Sequence, residues 1–221
     1  MERHFEHDLE HLKERLLRMG SLVERAIHQS VQALLEVDGE RAQRVIAEEK
    51  AINDAQIEID EEVLRILALY QLLAADLRFA LAVGRINADL ERMGDQAVNI
   101  AEAVTRILRY PRVQWNIDLA RMTDAAATMV HDSLDAFVQG NVELARSVLA
   151  RDDAVDAMRD EMFKELLAYM MSNASMVFAA FDLILVAKYL ERIADHATNI
   201  AEDVIYVVEG HDVRHHALDP R

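Results

Sequence analysis

The chain has 221 residues, 52% hydrophobic and 29% charged, so it can bury a sizeable core and is neither disordered nor membrane-embedded by composition. Its formal net charge of −16 repels a nucleic-acid backbone and suits metal cations or a basic protein surface. It has no cysteine, which excludes disulfides, iron–sulfur clusters, thiolate zinc sites and cysteine nucleophiles.

The N-terminal stretch is charged from Glu2 onward and lacks the apolar run of a signal peptide. Only 6 glycines and 2 prolines occur, too few for the turns of a many-stranded fold, so a few long helices are expected. The first spans roughly 3–37, and Asp38-Gly39 gives a turn before a second over roughly 39–70. A weaker break between Gln71 and Asp76, with Asp76 as cap, opens a third over roughly 75–109. Arg109 to Asn116 holds the one internal proline, Pro111, and reads as a linker. Helices follow over roughly 117–139, 141–171 and 175–209, separated by Gly140-Asn141 and by the capping residues Ser172 to Ser175. The longest apolar stretch, Val177 to Leu190, is interrupted by Asp182 and Lys188 and is too short to span a bilayer. A soluble protein with no membrane insertion is the expectation.

The chain also repeats itself. Leu90-Glu91-Arg92-Met93-Gly94-Asp95-Gln96-Ala97-Val98-Asn99-Ile100-Ala101-Glu102 recurs 100 residues later as Leu190-Glu191-Arg192-Ile193-Ala194-Asp195-His196-Ala197-Thr198-Asn199-Ile200-Ala201-Glu202. A fainter echo at an offset of about 103 relates Glu49 and Ile52 to Asp152 and Val155. Two matches in order at nearly one offset indicate a duplicated three-helix unit. The expected fold is all-α: two tandem three-helix bundles built from six long helices, over residues 1–110 and 117–210.

In the third helix of each unit, apolar residues recur by threes and fours, from Val83 through Leu90 and Ala97 to Ile107 and from Leu183 through Leu190 and Ala197 to Val207. This is the spacing of a packed helix seam. Glu91, Asp95 and Glu102 fall within roughly 40° of one another, nearly opposite that seam. Glu191, Asp195 and Glu202 repeat the arrangement. The acids are therefore expected on the outer face. Two acids four residues apart repel each other by a few tenths of a kcal/mol on an exposed helix, roughly.

Three readings of this face stand side by side: a solvated surface with salt bridges, a site for a hard cation, and a docking surface for a basic partner. The second helix of each unit adds Glu49 with Asn53, and Asp152 with Asp156. The neutral Asn53 leaves the first patch one acid short, so the second is expected to bind metal better. His196 adds an imidazole beside Asp195 that its counterpart Gln96 does not. The terminal histidine groups (His4, His7 and His11; His211, His215 and His216) read as exposed and bland.

The doubled L-E-R-[MI]-x-D-x-A-x-N-I-A-E string, each copy preceded by an acidic pair one helix earlier, resembles the phosphate-uptake regulator (PhoU) family from about Phe5 to Val208. The resemblance implies two similar three-helix bundles, a cytoplasmic location and frequent homodimers. It implies a negative regulator of phosphate uptake and phosphate-starvation signalling that binds a phosphate ABC transporter ATPase subunit and a phosphate sensor histidine kinase. Some members carry iron or zinc on surface carboxylates, and others are metal-free. The matching positions are Glu49, Glu91, Asp95, Asp152, Asp156, Glu191 and Asp195; Asn53 departs from the pattern. Rival readings are a metal-binding carboxylate bundle of ferritin type and a coiled-coil scaffold. The ferritin type needs Glu-x-x-His on core faces, which the sequence does not supply. No Walker-type or dinucleotide glycine loop occurs either, so no catalytic residues are assigned and the chain is not expected to be an enzyme.

Overall fold

The computed structural model describes residues 2–111, 117–211 and 213. The helices are α1 (Glu2–Glu36), α2 (Gly39–Leu69), α3 (Ala74–Ile107), α4 (Leu119–Gln139), α5 (Val142–Leu149), α6 (Asp152–Ser172) and α7 (Val177–Glu209), with a single 3-10 turn at Ala174–Met176 before α7. No strand occurs among the described residues. Most of the expected linker, residues 112–116, lies outside the described residues, as do His215 and His216.

The fold is all-α, as expected, with two differences in detail. The expected fifth helix is divided into α5 and α6. At the break, the Arg151 amide donates to the Val148 carbonyl at 3.0 Å instead of to Ser147. The guanidinium of the same residue takes over the Ser147 carbonyl, Nε to O at 3.1 Å, and also reaches Asp132 at 2.6 Å. The Ser147 carbonyl is therefore not orphaned by the break. It places Asp152 in the first turn of α6, where the helix dipole favours a carboxylate. The start of α3 also differs: Leu73 is the capping residue without a side-chain bond, and Asp76 sits inside the first turn.

The first hairpin turn of each repeat solves one problem with different residues. After α4, Gly140 takes the left-handed conformation at φ 60° and Asn141 caps α5 by accepting from Leu144 N–H at 3.1 Å. After α1, Val37 takes it at φ 56°, and Asp38 caps α2 by accepting from Arg41 N–H at 3.0 Å. The glycine of the Asp38-Gly39 signal is the first residue of α2, not the turn residue.

α1, α2 and α3 pack together, as do α4, α5–α6 and α7. The most extensive contact in the chain, however, joins the repeats: α3 lies against α7, with α1 against α4 beside it. The two central helices run antiparallel, since Arg85 meets Asp203 while Arg106 meets Asp182. One hydrophobic core runs through both repeats, taking in Leu90, Ile100, Leu190 and Ile200. Burial of that apolar surface is the main stabilising term. α3 and α7 each face their own bundle and each other, so burial spreads well beyond the seam to Ala82, Ala101, Ala103, Ala180 and Ala201. Phe79 of α3 stacks on Phe137 of α4 with ring centroids 5.2 Å apart, a second apolar tie between repeats.

Candidate functional site: two acid patches flanking a central crossing

Each acid patch forms where the second and third helices of a repeat approach closely. In the first repeat, Gly94 lets α2 draw near: a Cβ there would stand 3.1 Å from Ile52 Cδ1. That approach brings Glu49 and Asn53 alongside Glu91 and Asp95. Partial burial pushes the Glu91 carboxyl above the usual range, and the charges of Asp95 and Glu49 push it the same way. Arg92 and His196 oppose the shift. Burial alone raises Asp95. The Asn53 side-chain oxygen is buried without a hydrogen-bond partner.

In the second patch more acids act on one another. Loss of hydration, followed by repulsion from Glu191, Asp152 and Asp156, pushes the Asp195 carboxyl up to about 6. Asp152 is raised by burial and then by Asp156, Asp153 and Glu191. The four acids named from the sequence, Asp152, Asp156, Glu191 and Asp195, therefore do converge. Into them comes a residue that the sequence reading missed. Arg159 of α6 donates to Glu191 through Nη1, and the same atom lies 3.3 Å from Asp156. Its partner Glu191 is only 17% exposed in its side chain.

These positions correct the outer-face expectation in part, since Asp195 is exposed as expected. Glu91 and Asp95 are half-buried in the groove between α2 and α3, while Glu102 is exposed and lies outside the patch. The reason is tertiary: α3 is covered on several sides, so the angle from one seam does not measure exposure.

Between the patches, α3 and α7 cross. Arg92 and Gln96 face Arg192, His196 and Asn199 there around a cavity of about 610 Å³. The His196 ring does not turn to Asp195. Its Nδ1 stands 2.8 Å from Oδ1 of Asp89, and the Asn199 amide donates to the same oxygen at 3.3 Å. Asp89 is almost buried, so the contact is one strut of the inter-repeat joint. Asp89 had no signal in the sequence, because its counterpart is Tyr189. Arg159 did have one: at the offset of 103 it replaces Gln56, three residues beyond the extra acid Asp156.

Iron or zinc, the metals that the resemblance implies, can be tested against this donor set. Carboxylate oxygens suit ferric iron and zinc in kind. Among the described residues, however, no three acidic or histidine side chains are arranged as a ready ligand group. The first patch offers Glu49, Glu91, Asp95 and the buried Asn53 oxygen, a set that fits a cation in chemistry. The second does not fit as it stands, because a guanidinium already pairs with two of its four acids, Asp156 and Glu191.

No helix among the described residues is long and apolar enough to cross a membrane. The PhoU domain family model matches residues 16–104 and 119–204, one copy on each repeat. The phosphate-specific transport system accessory protein PhoU homolog of Clostridium acetobutylicum is 40% identical over 95% of this chain and 96% of its own. The Pseudomonas putida homolog of the same name is 39% identical over 97% and 84%. The crystal structure of PhoU from Pseudomonas aeruginosa superposes with a TM-score of 0.90 at 36% identity, covering 94% of this chain and all (100%) of that one. The phosphate transport system regulatory protein PhoU from Streptococcus pneumoniae gives 0.87 at 31% identity, covering 95% and 99%. With both repeats matched and near-full-length likeness in sequence and fold, the chain belongs to the PhoU domain family.

Proposed function

We propose that the chain is a cytoplasmic, non-enzymatic negative regulator of phosphate uptake and phosphate-starvation signalling. It acts by binding a phosphate transporter ATPase subunit and a phosphate sensor histidine kinase and biasing their conformational equilibria. The observation that carries this reading is the near-full-length likeness to proteins named as phosphate transport accessory proteins. The surface supports it. Leu73 is 78% exposed where α2 meets α3, and Phe178 is 69% exposed where α6 meets α7. Leu64 and Leu81 beside the first, and Leu167 and Phe181 beside the second, occupy corresponding positions and are also exposed. Exposed apolar groups on a strongly acidic chain suit a partner with a basic, partly apolar face.

The test is direct binding of the purified chain to purified ATPase subunit and to the kinase's cytoplasmic region, with phosphate uptake followed in cells lacking the chain. Binding to at least one partner, together with uptake no longer repressed by phosphate, is expected. Failure to bind either partner, with unchanged uptake, would overturn the reading. Homodimerisation belongs to the same proposal and is checked by sedimentation.

Cation binding is a second reading, favoured by the raised carboxyls of Glu91 and Asp95 in the first patch. An iron or zinc ion held by Glu49, Glu91 and Asp95 would supply positive charge to offset the repulsion on Glu91 and the partial burial of both carboxyls. Elemental analysis of chain purified without chelator tests this. Absence of metal, with no thermal shift on adding iron or zinc, would sink it.

A further inference from the structure

We infer that Arg159 is the resident counter-ion of the second acid patch and keeps metal out of it, so that this patch works metal-free. The claim concerns only the cation reading; its failure leaves the partner reading untouched.

The two patches differ at two corresponding positions. Asp156 stands for Asn53, and Arg159 stands for Gln56. One exchange adds a negative charge and the other a positive one. Three carboxylates on the first patch, and four carboxylates with one guanidinium on the second, therefore carry the same formal charge. Asp156 and Arg159 lie three residues apart on α6, one turn of a helix, and their side chains meet at 3.3 Å. The guanidinium also bonds Glu191 across the groove to α7. Its far side is anchored by Asp160, which accepts from Arg159 Nη2 at 2.9 Å and from Nε at 3.1 Å.

Arg159 is thus held on both sides, its side chain 30% exposed, and its charge lies against Asp156 and Glu191, two of the four acids that a cation would need. A tethered guanidinium competes with a free ion at high effective concentration, and it cannot lose its proton. An entering metal would have to break bonds to Asp156 and Glu191 and place a second positive charge beside the first. The first patch has no such group: Gln56 is neutral, and its backbone carbonyl accepts from the Asn87 amide at 3.0 Å. The order expected from counting acids in the sequence is reversed.

The experiment measures metal per chain by elemental analysis after exposure to Mn²⁺ or Zn²⁺ and desalting. In the parent chain, Asp195→Asn is expected to leave the metal content unchanged. Arg159→Gln is expected to gain about one ion per chain, and the double variant Arg159→Gln with Asp195→Asn to lose it again. If Arg159→Gln binds no more metal than the parent, or if Asp195→Asn alone removes metal, the inference is overturned. A metal-free arm covers the case in which Arg159→Gln does not fold. In chelator, Asn53→Asp is expected to lower Tm, and adding Gln56→Arg to that variant is expected to restore it. Failure of the added arginine to restore Tm would count against a counter-ion role and overturn the inference.

Discussion

His196 of α7 holds Asp89 of α3, with Nδ1 2.8 Å from Oδ1, and so ties the second repeat to the first at the centre of the molecule. The side chains are 16% and 9% exposed, so water cannot easily replace either partner. His196→Ala would leave Asp89 with the longer Asn199 bond and a distant Arg92 (4.0 Å). A loss of about 1–3 kcal/mol is expected from a charged group left short of partners. Chemical denaturation of His196→Ala against His196→Gln checks this, because glutamine can still donate to Asp89 and should recover part of the loss.

A second strut lies one end along the same joint. Arg85 Nη2 is 2.8 Å from Asp203, whose side chain is only 5% exposed. Arg85→Leu is expected to destabilise the chain by about 2 kcal/mol, because it removes the charged partner of a buried carboxylate. Replacing both residues by leucine should recover part of that loss, since the carboxylate that lost Arg85 is then removed as well. A double variant no more stable than Arg85→Leu would show that the pair contributes more than mutual neutralisation.

Val37 pays a conformational penalty that its counterpart avoids. It sits at φ 56°, where Gly140 of the second repeat sits at 60°. The left-handed region is unfavourable by roughly 1–2 kcal/mol for a residue with a side chain. Glycine's extra freedom in the unfolded chain returns roughly 0.5–1 kcal/mol of this. Val37→Gly is therefore expected to raise Tm by about 1–4 °C in a domain of this size. A lower Tm would mean that Val37 makes packing contacts worth more than its strain.

The approach of α2 to α3 predicts a size coupling. Gly94 faces Ile52, while the second repeat has Ala194 and Val155 at the corresponding positions. Gly94→Ala gains about 1 kcal/mol of helix propensity but overpacks against Ile52, at roughly 1–3 kcal/mol. Adding Ile52→Val should relieve the clash, so the double variant is expected to exceed the sum of the singles by about 1 kcal/mol. Strict additivity in a double-mutant cycle would refute the coupling.

Stability should fall across the weakly acidic range because of Asp195. Its folded carboxyl titrates at about 6, whereas in the unfolded chain it titrates near an ordinary value of about 4. The folded state then holds a proton that the unfolded state releases. The resulting stabilisation is complete below about pH 4 and lost as pH rises through about 6. In chelator at pH 7.5, Asp195→Asn is expected to raise Tm by about 1–3 °C. The difference should vanish near pH 4, and an equal gain at both pH values would exclude the titration of Asp195 as its cause.

The helical fold was legible because it depends on local signals. Apolar residues at threes and fours mark Val83 to Val104 and Leu183 to Val204 as buried, and they are. The duplication was legible because the motif repeats without gaps. The left-handed Val37 was not, because the dipeptide Asp38-Gly39 points to the wrong residue for the turn. The break at Arg151 was not either, since it rests on a side chain replacing its own amide at a carbonyl, and no local residue preference signals that exchange.

The acids of the patches were found from the sequence because they are copied and lie one helical turn apart. The half-buried environment of all of them but the exposed Asp195 was not, because it depends on which other helices cover α3 and α7. The sequence by itself determined the helices, the repeat and the chemical identity of the patch acids, all of which follow from spacing along one chain. Only the tertiary structure decided that Arg159 closes one patch, and that His196 turns to Asp89 instead of Asp195. Those outcomes depend on distances between residues 32 and 107 positions apart, and Coulomb and hydrogen-bond energies follow distance in space.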